Sequence, residues 1–384
     1  MAEHKRVLLI VYNAAHFREL FRLAKLLLNS GRFMPLVLFC SPYPNQYEHY
    51  QECSAWGIQA WIRGQPLSPH SRSWFVPLLL LPSLFWRGMR LLARGLLPRP
   101  LRPLFAAGKG RVRRFLTYVH AELETYLAML RVKISSKLRS SELVGVHLLR
   151  AYKQLRYARL MCRTLRPHLL VLAEDNVEYV SGAWVRAAHG SEIPVLIVPY
   201  CLAGLEEPAA VYVNDPRHQA DNPKNRGLAR AYPHWVYEYQ GRTLVRMPAN
   251  QALPLEWLGI SSPLPWLMNG TYADRIAVES PFMRDFYQRQ GVPPSQIAVT
   301  GTANDDAMYE ALQHRESYLR QLYTQYGMPF DRPMILCALP PVTSAMAGLK
   351  EEFRSYQDML RFWLACLSEI EGYNIFISLH PTMN

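Results

Sequence analysis

The sequence predicts an α/β protein built from doubly wound parallel sheets, and three observations predict it. The chain opens on an apolar strand run, Arg6 to Val11 (RVLLIV), then His16 to Asn29 (HFRELFRLAKLLLN), then a second strand run, Met34 to Cys40 (MPLVLFC). In the middle run apolar residues fall at 17, 20, 21, 23, 24, 27 and 28, which is helical spacing. A strand–helix–strand unit of this kind is the usual opening of a doubly wound sheet. The same alternation returns at His168 and, after an irregular stretch at Tyr200 to Pro265, resumes to the end of the chain. Half of the 384 residues are hydrophobic, enough for a large core and two domains.

The remaining elements follow in order. Gly31 ends the first helix, and Gly57 to Ile62 (GIQAWI) reads as a third, shorter strand. Trp74 to Arg114 is proline-punctuated, basic and rich in Leu, Phe and Trp, and 115–165 continues as long helices with abundant Arg and Lys. His168 to Asp175 (HLLVLAED) is a strand ending in polar residues, Val180 to His189 a helix, and Val195 to Val198 the next strand. Tyr200 to Pro265 has no clear period. Ala273 to Val278 (ADRIAV) is a strand, Pro281 to Gln290 a helix closed by Gly291, and Gln296 to Thr300 a strand ending at Gly301. A helix around Asp306 to Tyr326 leads to a strand at Met334 to Leu339, a helix at Leu349 to Ile370 and a strand at Asn374 to Leu379. These runs place a first domain over 1–310, with a helical basic insertion at about 75–167, and the start of a second over 330–384.

The net positive charge is confined to that insertion. The net charge is +13, yet Phe75 to Pro167 alone holds 19 Lys and Arg against Glu122, Glu124 and Glu142, so the rest of the chain is slightly acidic. Its longest uncharged apolar run, Trp74 to Trp86, is 13 residues, whereas a spanning helix needs roughly 20. Apolar side chains interleaved with Arg suit an anionic membrane surface; the alternative is an internal helical hairpin packed on its own sheet. Nucleic acid is disfavoured, because no recognised nucleic-acid module surrounds those charges. Six scattered cysteines without a CxxC read as buried free thiols of a reducing compartment. The apolar run after the N-terminal basic residues is too short for a signal peptide. The expectation is a cytoplasmic protein, peripheral on the inner face of the cell membrane. No metal-ligand spacing, P-loop, GxSxG or GxGxxG is present.

The segment Tyr272 to Ala307, YADRIAVESPFMRDFYQRQGVPPSQIAVTGTANDDA, resembles the end of the first domain in GT-B glycosyltransferases and in the UDP-N-acetylglucosamine 2-epimerases that share their fold. "ADRI-x-V-x-S", an amphipathic helix, "G-V-P" and a strand ending in "V-x-G" carry the resemblance. His168 to Pro199 is similar to the earlier strand–helix–strand of that domain. "LHP" at Leu379 to Pro381 looks like the His-Pro motif of capsule and teichoic-acid polymerising transferases and of bacterial sialyltransferases. The resemblance implies two Rossmann-like domains, a nucleotide-sugar donor as substrate, no bound cofactor or metal, and a lipid-linked or polysaccharide acceptor. Two departures stand out. Tyr12 to His16 (YNAAH) lacks the glycines of many relatives, and Leu339 to Ser344 (LPPVTS) stands where the epimerases carry a basic or His-rich motif. After about Arg332 only 52 residues remain, against on the order of 150 for a complete domain, so the second domain is expected to be truncated. The expected function is glycosyl transfer in bacterial surface polysaccharide or glycolipid biosynthesis; the alternatives are a sugar-nucleotide 2-epimerase and a non-catalytic membrane-associated partner.

Ligands of doubly wound sheets collect beyond the carboxyl ends of the strands, which selects the candidate residues. Glu174, Asp175 and Asn176 end one strand; they can supply a general base or position an acceptor hydroxyl, or simply cap the next helix. His16, at the start of the first helix, can serve as a base or bind an anionic group with the helix N-terminus, or be an ordinary turn histidine. Glu206 and Glu207 follow another strand and can activate or hold a hydroxyl, or be solvated surface. The resemblance makes His380 a phosphate contact or leaving-group acid. Thr343 and Ser344 are candidates to donate to the same phosphates, and Gly301 and Thr302 sit at the cleft edge, where glycine permits close backbone approach. Tyr232, Trp235, Tyr237 and Tyr239 either stack on sugar rings or, the favoured reading, anchor an irregular loop.

Overall fold

The computed structural model describes residues 4–63, 141–201, 204–270, 272–339 and 353–378. The chain divides into two compact units, Met1–Gly301 and Thr302–Asn384. The first contains β1 (Lys5–Val11), α1 (Ala14–Asn29), β2 (Phe33–Phe39), α2 (Gln46–Ala55), β3 (Gln59–Ile62), α3 (Ser141–Leu165), β4 (Leu169–Leu172), α4 (Gly182–His189) and β5 (Val195–Ile197). It continues with α5 (Glu206–Tyr212), α6 (Arg226–Ala231), the strands β6 (Val236–Tyr239) and β7 (Arg242–Val245), α7 (Ala249–Leu258), β8 (Arg275–Val278), α8 (Pro281–Arg289) and β9 (Ile297–Val299).

Seven of these strands form one sheet in the order β3-β2-β1-β4-β5-β8-β9, and every pairing in it is parallel. The fold is the expected Rossmann-like α/β architecture. Side chains of a strand alternate between faces, and the core divides accordingly. Leu8, Ile10, Leu36, Leu38, Leu170 and Leu172 enter one apolar cluster with α3, α4 and α7. Val7, Leu9, Val11, Val37, Phe39 and Val171 enter another with Phe17, Leu20, Phe21 and Ala24 of α1. A sheet covered on both faces needs continuous apolar strands, and Val7 to Val11 are each at most 1% exposed. The α1 helix starts where the Asn13 side-chain oxygen accepts from the His16 N–H at 2.9 Å. Along α3, the buried residues Val144, Leu148, Ala151, Leu155, Ala158, Met161, Cys162 and Leu165 recur at helical spacing.

The second unit holds α9 (Ala303–Gln313), α10 (Arg315–Tyr326), β10 (Met334–Ala338), α11 (Tyr356–Ser368) and β11 (Asn374–Ser378). The strands β10 and β11 pair in parallel, which with α11 makes a βαβ unit. Phe376 stacks on Tyr323 of α10 at 6.2 Å. The Asn374 side-chain amide donates to the carbonyls of Pro329 (2.7 Å) and Arg332 (3.1 Å), pinning the turn before β10.

Several expectations differ from the structure. The stretch 200–265 is ordered as short helices and the antiparallel hairpin of β6 and β7. The helix expected over Asp306 to Tyr326 is two, interrupted at His314. The helix expected over Leu349 to Ile370 is described from Tyr356, with Ser355 as its cap; Leu349 to Glu352 lie outside the described residues. The sequence reading passed over α2, whose one buried residue is Cys53. None of the six cysteines is paired; four are buried, but Cys201 is partly open and Cys366 is exposed. The segment Trp74 to Arg114 lies outside the described residues, as does most of the helical stretch that follows it. Among the described residues no helix is long and apolar enough to cross a membrane.

Close packing separates two helical glycines. A Cβ at Gly182, the first residue of α4, would collide with the backbone carbonyl of Ile260, whereas a Cβ at Gly145 in α3 meets nothing within 4 Å among the described residues. Gly182→Ala is therefore expected to destabilise by about 1–3 kcal/mol, as overpacking does. Gly145→Ala should stabilise by roughly 0.5–1 kcal/mol through helix propensity. Urea melts of the two variants check both signs.

Candidate functional site

The chain runs from β1 outward to β2 and β3, then returns to place β4 on the other side of β1. The order reverses between β1 and β4, and the crevice beyond their carboxyl ends is where doubly wound sheets bind ligands. His16 follows β1 and Glu174 follows β4. The structure brings them together: His16 Nε2 lies 3.3 Å from Glu174 Oε1, with the two side chains 0% and 1% exposed. Beyond that contact, neither Glu174 oxygen and neither His16 ring nitrogen has an aligned hydrogen bond among the described residues. A carboxylate removed from water without donors is costly, so the imidazole beside it is its main electrostatic partner.

Three tyrosines enclose the pair. The His16 ring lies 5.9 Å from Tyr12, 5.6 Å from Tyr179 and 5.0 Å from Tyr200. Tyr12 and Tyr179 stack on each other at 5.2 Å. Gln154 of α3 donates to the Tyr12 hydroxyl (3.2 Å) and to the Tyr179 carbonyl (2.9 Å). Burial pushes the Tyr12 and Tyr179 hydroxyls above the ordinary phenol range. Burial, then the Glu174 charge, does the same to Tyr200. All three phenols therefore stay protonated beside the dyad.

Asp175 is 4% exposed, and its backbone is clamped from a distant loop. Its N–H donates to Asn269 Oδ1 at 2.8 Å, and its carbonyl accepts from the Asn269 N–H at 2.9 Å. Asn269 sits at a φ of 66° and donates from Nδ2 to the Tyr287 hydroxyl at 3.0 Å. The capping role belongs to Asn176, whose Oδ1 accepts from the Glu178 N–H at 3.0 Å.

Glu206 and Glu207 are exposed in the first turn of α5. Burial pushes the Cys201 thiol up to about 11; the carboxylates of Glu174, Glu207 and Glu279 add to this, against a hydrogen bond with Tyr200. Glu279 directly follows β8 and has Oε1 buried without a partner among the described residues. Gly301 follows β9 at a φ of 76°. The Thr302 hydroxyl accepts from the Asp305 N–H at 3.2 Å, capping α9. His380, Thr343 and Ser344 lie outside the described residues.

The aromatic cluster anchors its loop. Trp235 is fully buried and donates from Nε1 to Glu256 at 2.7 Å. Trp266 Nε1 donates to the Trp235 carbonyl at 2.8 Å, and the Trp266 ring packs on Tyr237 at 5.2 Å. Among the described residues no group of three or more His, Cys, Asp and Glu side chains could hold a metal ion.

The reading of the residues missed Tyr12, Tyr179, Tyr200, Asn269 and Glu279. It also missed an ion pair below Tyr179. Arg246 Nη1 lies 2.7 Å from Glu178 Oε1, with side-chain exposures of 7% and 44%. The Tyr212 hydroxyl donates to the same Glu178 oxygen at 2.7 Å. Burial pushes the Glu178 carboxyl up, but Arg246 and the Tyr212 hydroxyl outweigh it and hold it below its ordinary value. A depressed carboxyl stabilises the fold above its unfolded pKa, and that contribution is lost as pH falls through the folded pKa. Glu178→Gln should therefore flatten the acid limb of stability between roughly pH 5 and 3, read as melting temperature against pH, with wild type and variant converging at the acid end.

No family model matches the chain, and no curated protein does. It is similar to solved structures of UDP-GlcNAc 2-epimerases and glycosyltransferases, the two classes that the sequence resembles. UDP-GlcNAc 2-epimerase from Neisseria meningitidis bound to UDP-GlcNAc is 10% identical over 98% of this chain and 66% of that one, with a TM-score of 0.41. A putative UDP-N-acetylglucosamine 2-epimerase from Listeria monocytogenes is 11% identical over 99% and 65%, with a TM-score of 0.45. A glycosyltransferase from Rickettsia africae is 10% identical over 98% and 69%, with a TM-score of 0.42. The chain thus spans 63–66% of the length of four UDP-GlcNAc 2-epimerase structures it is similar to.

Proposed function

We propose that this protein transfers a glycosyl group from a nucleotide sugar to an acceptor hydroxyl, with His16 as the base and Glu174 as the partner that orients it. One observation carries the reading: an imidazole and a carboxylate, both sealed from solvent, meet at 3.3 Å where the strand order reverses. The acceptor oxygen attacks the anomeric carbon, the bond from that carbon to the phosphate oxygen breaks, and the nucleotide leaves. The acceptor proton passes to the imidazole, and Glu174 stabilises the imidazolium that results. The half-buried rings of Tyr179 and Tyr200 limit water at the reacting centre, which suits transfer over hydrolysis.

Asp175 and Glu207 are assigned to hydroxyl groups of the acceptor or sugar. His380 is assigned to the nucleotide phosphates on the strength of the sequence resemblance, Thr343 and Ser344 to the same phosphates from their place after a strand, and Gly301 and Thr302 to close backbone approach at the edge of the donor site. The charges of 75–167 favour a lipid-linked or polysaccharide acceptor at an anionic membrane surface and a role in surface polysaccharide or glycolipid synthesis.

With a panel of nucleotide sugars and acceptors, His16→Ala and Glu174→Gln should each lower turnover about 10²–10⁴-fold. Nucleotide release coupled to a glycosylated acceptor supports the reading. Release of free epimerised sugar and nucleotide without any acceptor would identify a 2-epimerase instead. Deleting Trp74 to Arg114 should abolish sedimentation with anionic liposomes, and unchanged sedimentation would remove the membrane assignment.

A further inference from the structure

Val180 adopts φ 57° and ψ 36°, a left-handed conformation that a β-branched residue rarely takes. Such strain persists where the surroundings over-determine it, and five hydrogen bonds do so here. Asn176 Oδ1 accepts from the Glu178 N–H at 3.0 Å. The Asn176 N–H donates to Ser181 Oγ at 3.0 Å. Gln154 Nε2 donates to the Tyr179 carbonyl at 2.9 Å. Arg246 and Tyr212 both grip Glu178 at 2.7 Å.

What this turn presents is Tyr179. Its ring plane lies 82° to the His16 ring and 16° to that of Tyr12. Its hydroxyl accepts from Asn13 Nδ2 at 3.3 Å, and Asn13 also caps the helix that carries His16. Arg246 follows β7, far from the dyad in sequence, and its guanidinium also lies 5.3 Å from the Tyr212 ring. That ring stacks in turn on His218 at 3.9 Å. A surface ion pair would contribute little, but this arginine is almost wholly buried, and its position is fixed.

We infer that Arg246 is a positioning residue: through Glu178 and the strained Val180 turn it holds Tyr179 against His16, and so fixes the imidazole against Glu174. The inference rests on His16 being the base, but the positioning itself is a statement about geometry. Losing the strut should release the Tyr179 ring and give His16 other side-chain conformations. The rate at saturating substrate would then fall while donor KM stays near its wild-type value.

The test is the ring carbon and proton signal of His16 in the full chain labelled at histidine, assigned with His16→Gln. Tyr179→Leu and Arg246→Leu should move that signal in the same direction, toward that of an exposed histidine, and Arg246→Lys should restore part of the shift. Arg186→Leu, which removes a different anchor (the bond from Arg186 Nη1 to the Gly259 carbonyl, 3.0 Å), should leave it in place. Should Arg246→Leu not fold, Glu178→Leu removes the strut from its more exposed end. A folded Arg246→Leu or Glu178→Leu with an unmoved His16 signal overturns the inference. A moved signal together with full glycosyl transfer by His16→Ala would uphold the positioning and sink the assignment of His16 as base.

Discussion

The sealing of β1 and β4 on both faces of the sheet is the constraint on which the rest of the structure depends. Val7 to Val11 and Leu170 to Leu172 have no room for a polar group, so polar chemistry can begin only where these strands end. They are neighbours and run in parallel. Polar side chains that follow each therefore emerge on the same edge, side by side. His16 and Glu174 meet for that reason, although most of the first unit's sequence separates them.

That meeting has an energetic consequence. A buried polar group left without a partner costs about 1–3 kcal/mol, and Glu174 exposes two oxygens to this penalty. Its compensation is incomplete: an imidazole at 3.3 Å and no aligned hydrogen bond among the described residues. The Asn269 clamp on the Asp175 backbone and the left-handed Val180 add further local cost or constraint at the same edge. Proteins concentrate such costs where a ligand or a reaction requires them. The apolar clusters on the two faces of the sheet are what allow the edge to be this unfavourable.

Much of this was legible in the sequence, for identifiable reasons. The 3.6 period of α1 and the unbroken apolar runs of β1, β2 and β4 report burial directly, and burial decides these elements. The hairpin of β6 and β7 was not legible. Its strands have four residues each, and its turn, Gln240–Gly241, takes positive φ at both positions (48° and 70°) without the usual Asn-Gly signal. The break at His314 has neither proline nor glycine to mark it. At the site, His16 and Glu174 were each recognisable from their places after strands, but their contact depends on strand order, which pattern does not encode. Tyr12, Tyr179, Tyr200 and Arg246 were invisible because aromatic and basic residues in loops usually only pack or solvate. Their role comes from which partners the fold brings to them.

The most direct test of the central claim is a double-mutant cycle between His16 and Glu174, read as kcat/KM for nucleotide release from the best nucleotide sugar. If the two act as one unit, His16→Ala with Glu174→Gln should be little worse than His16→Ala alone, because the orienting partner has nothing left to orient. If the two losses instead add in free energy, the residues act independently and the dyad account is wrong.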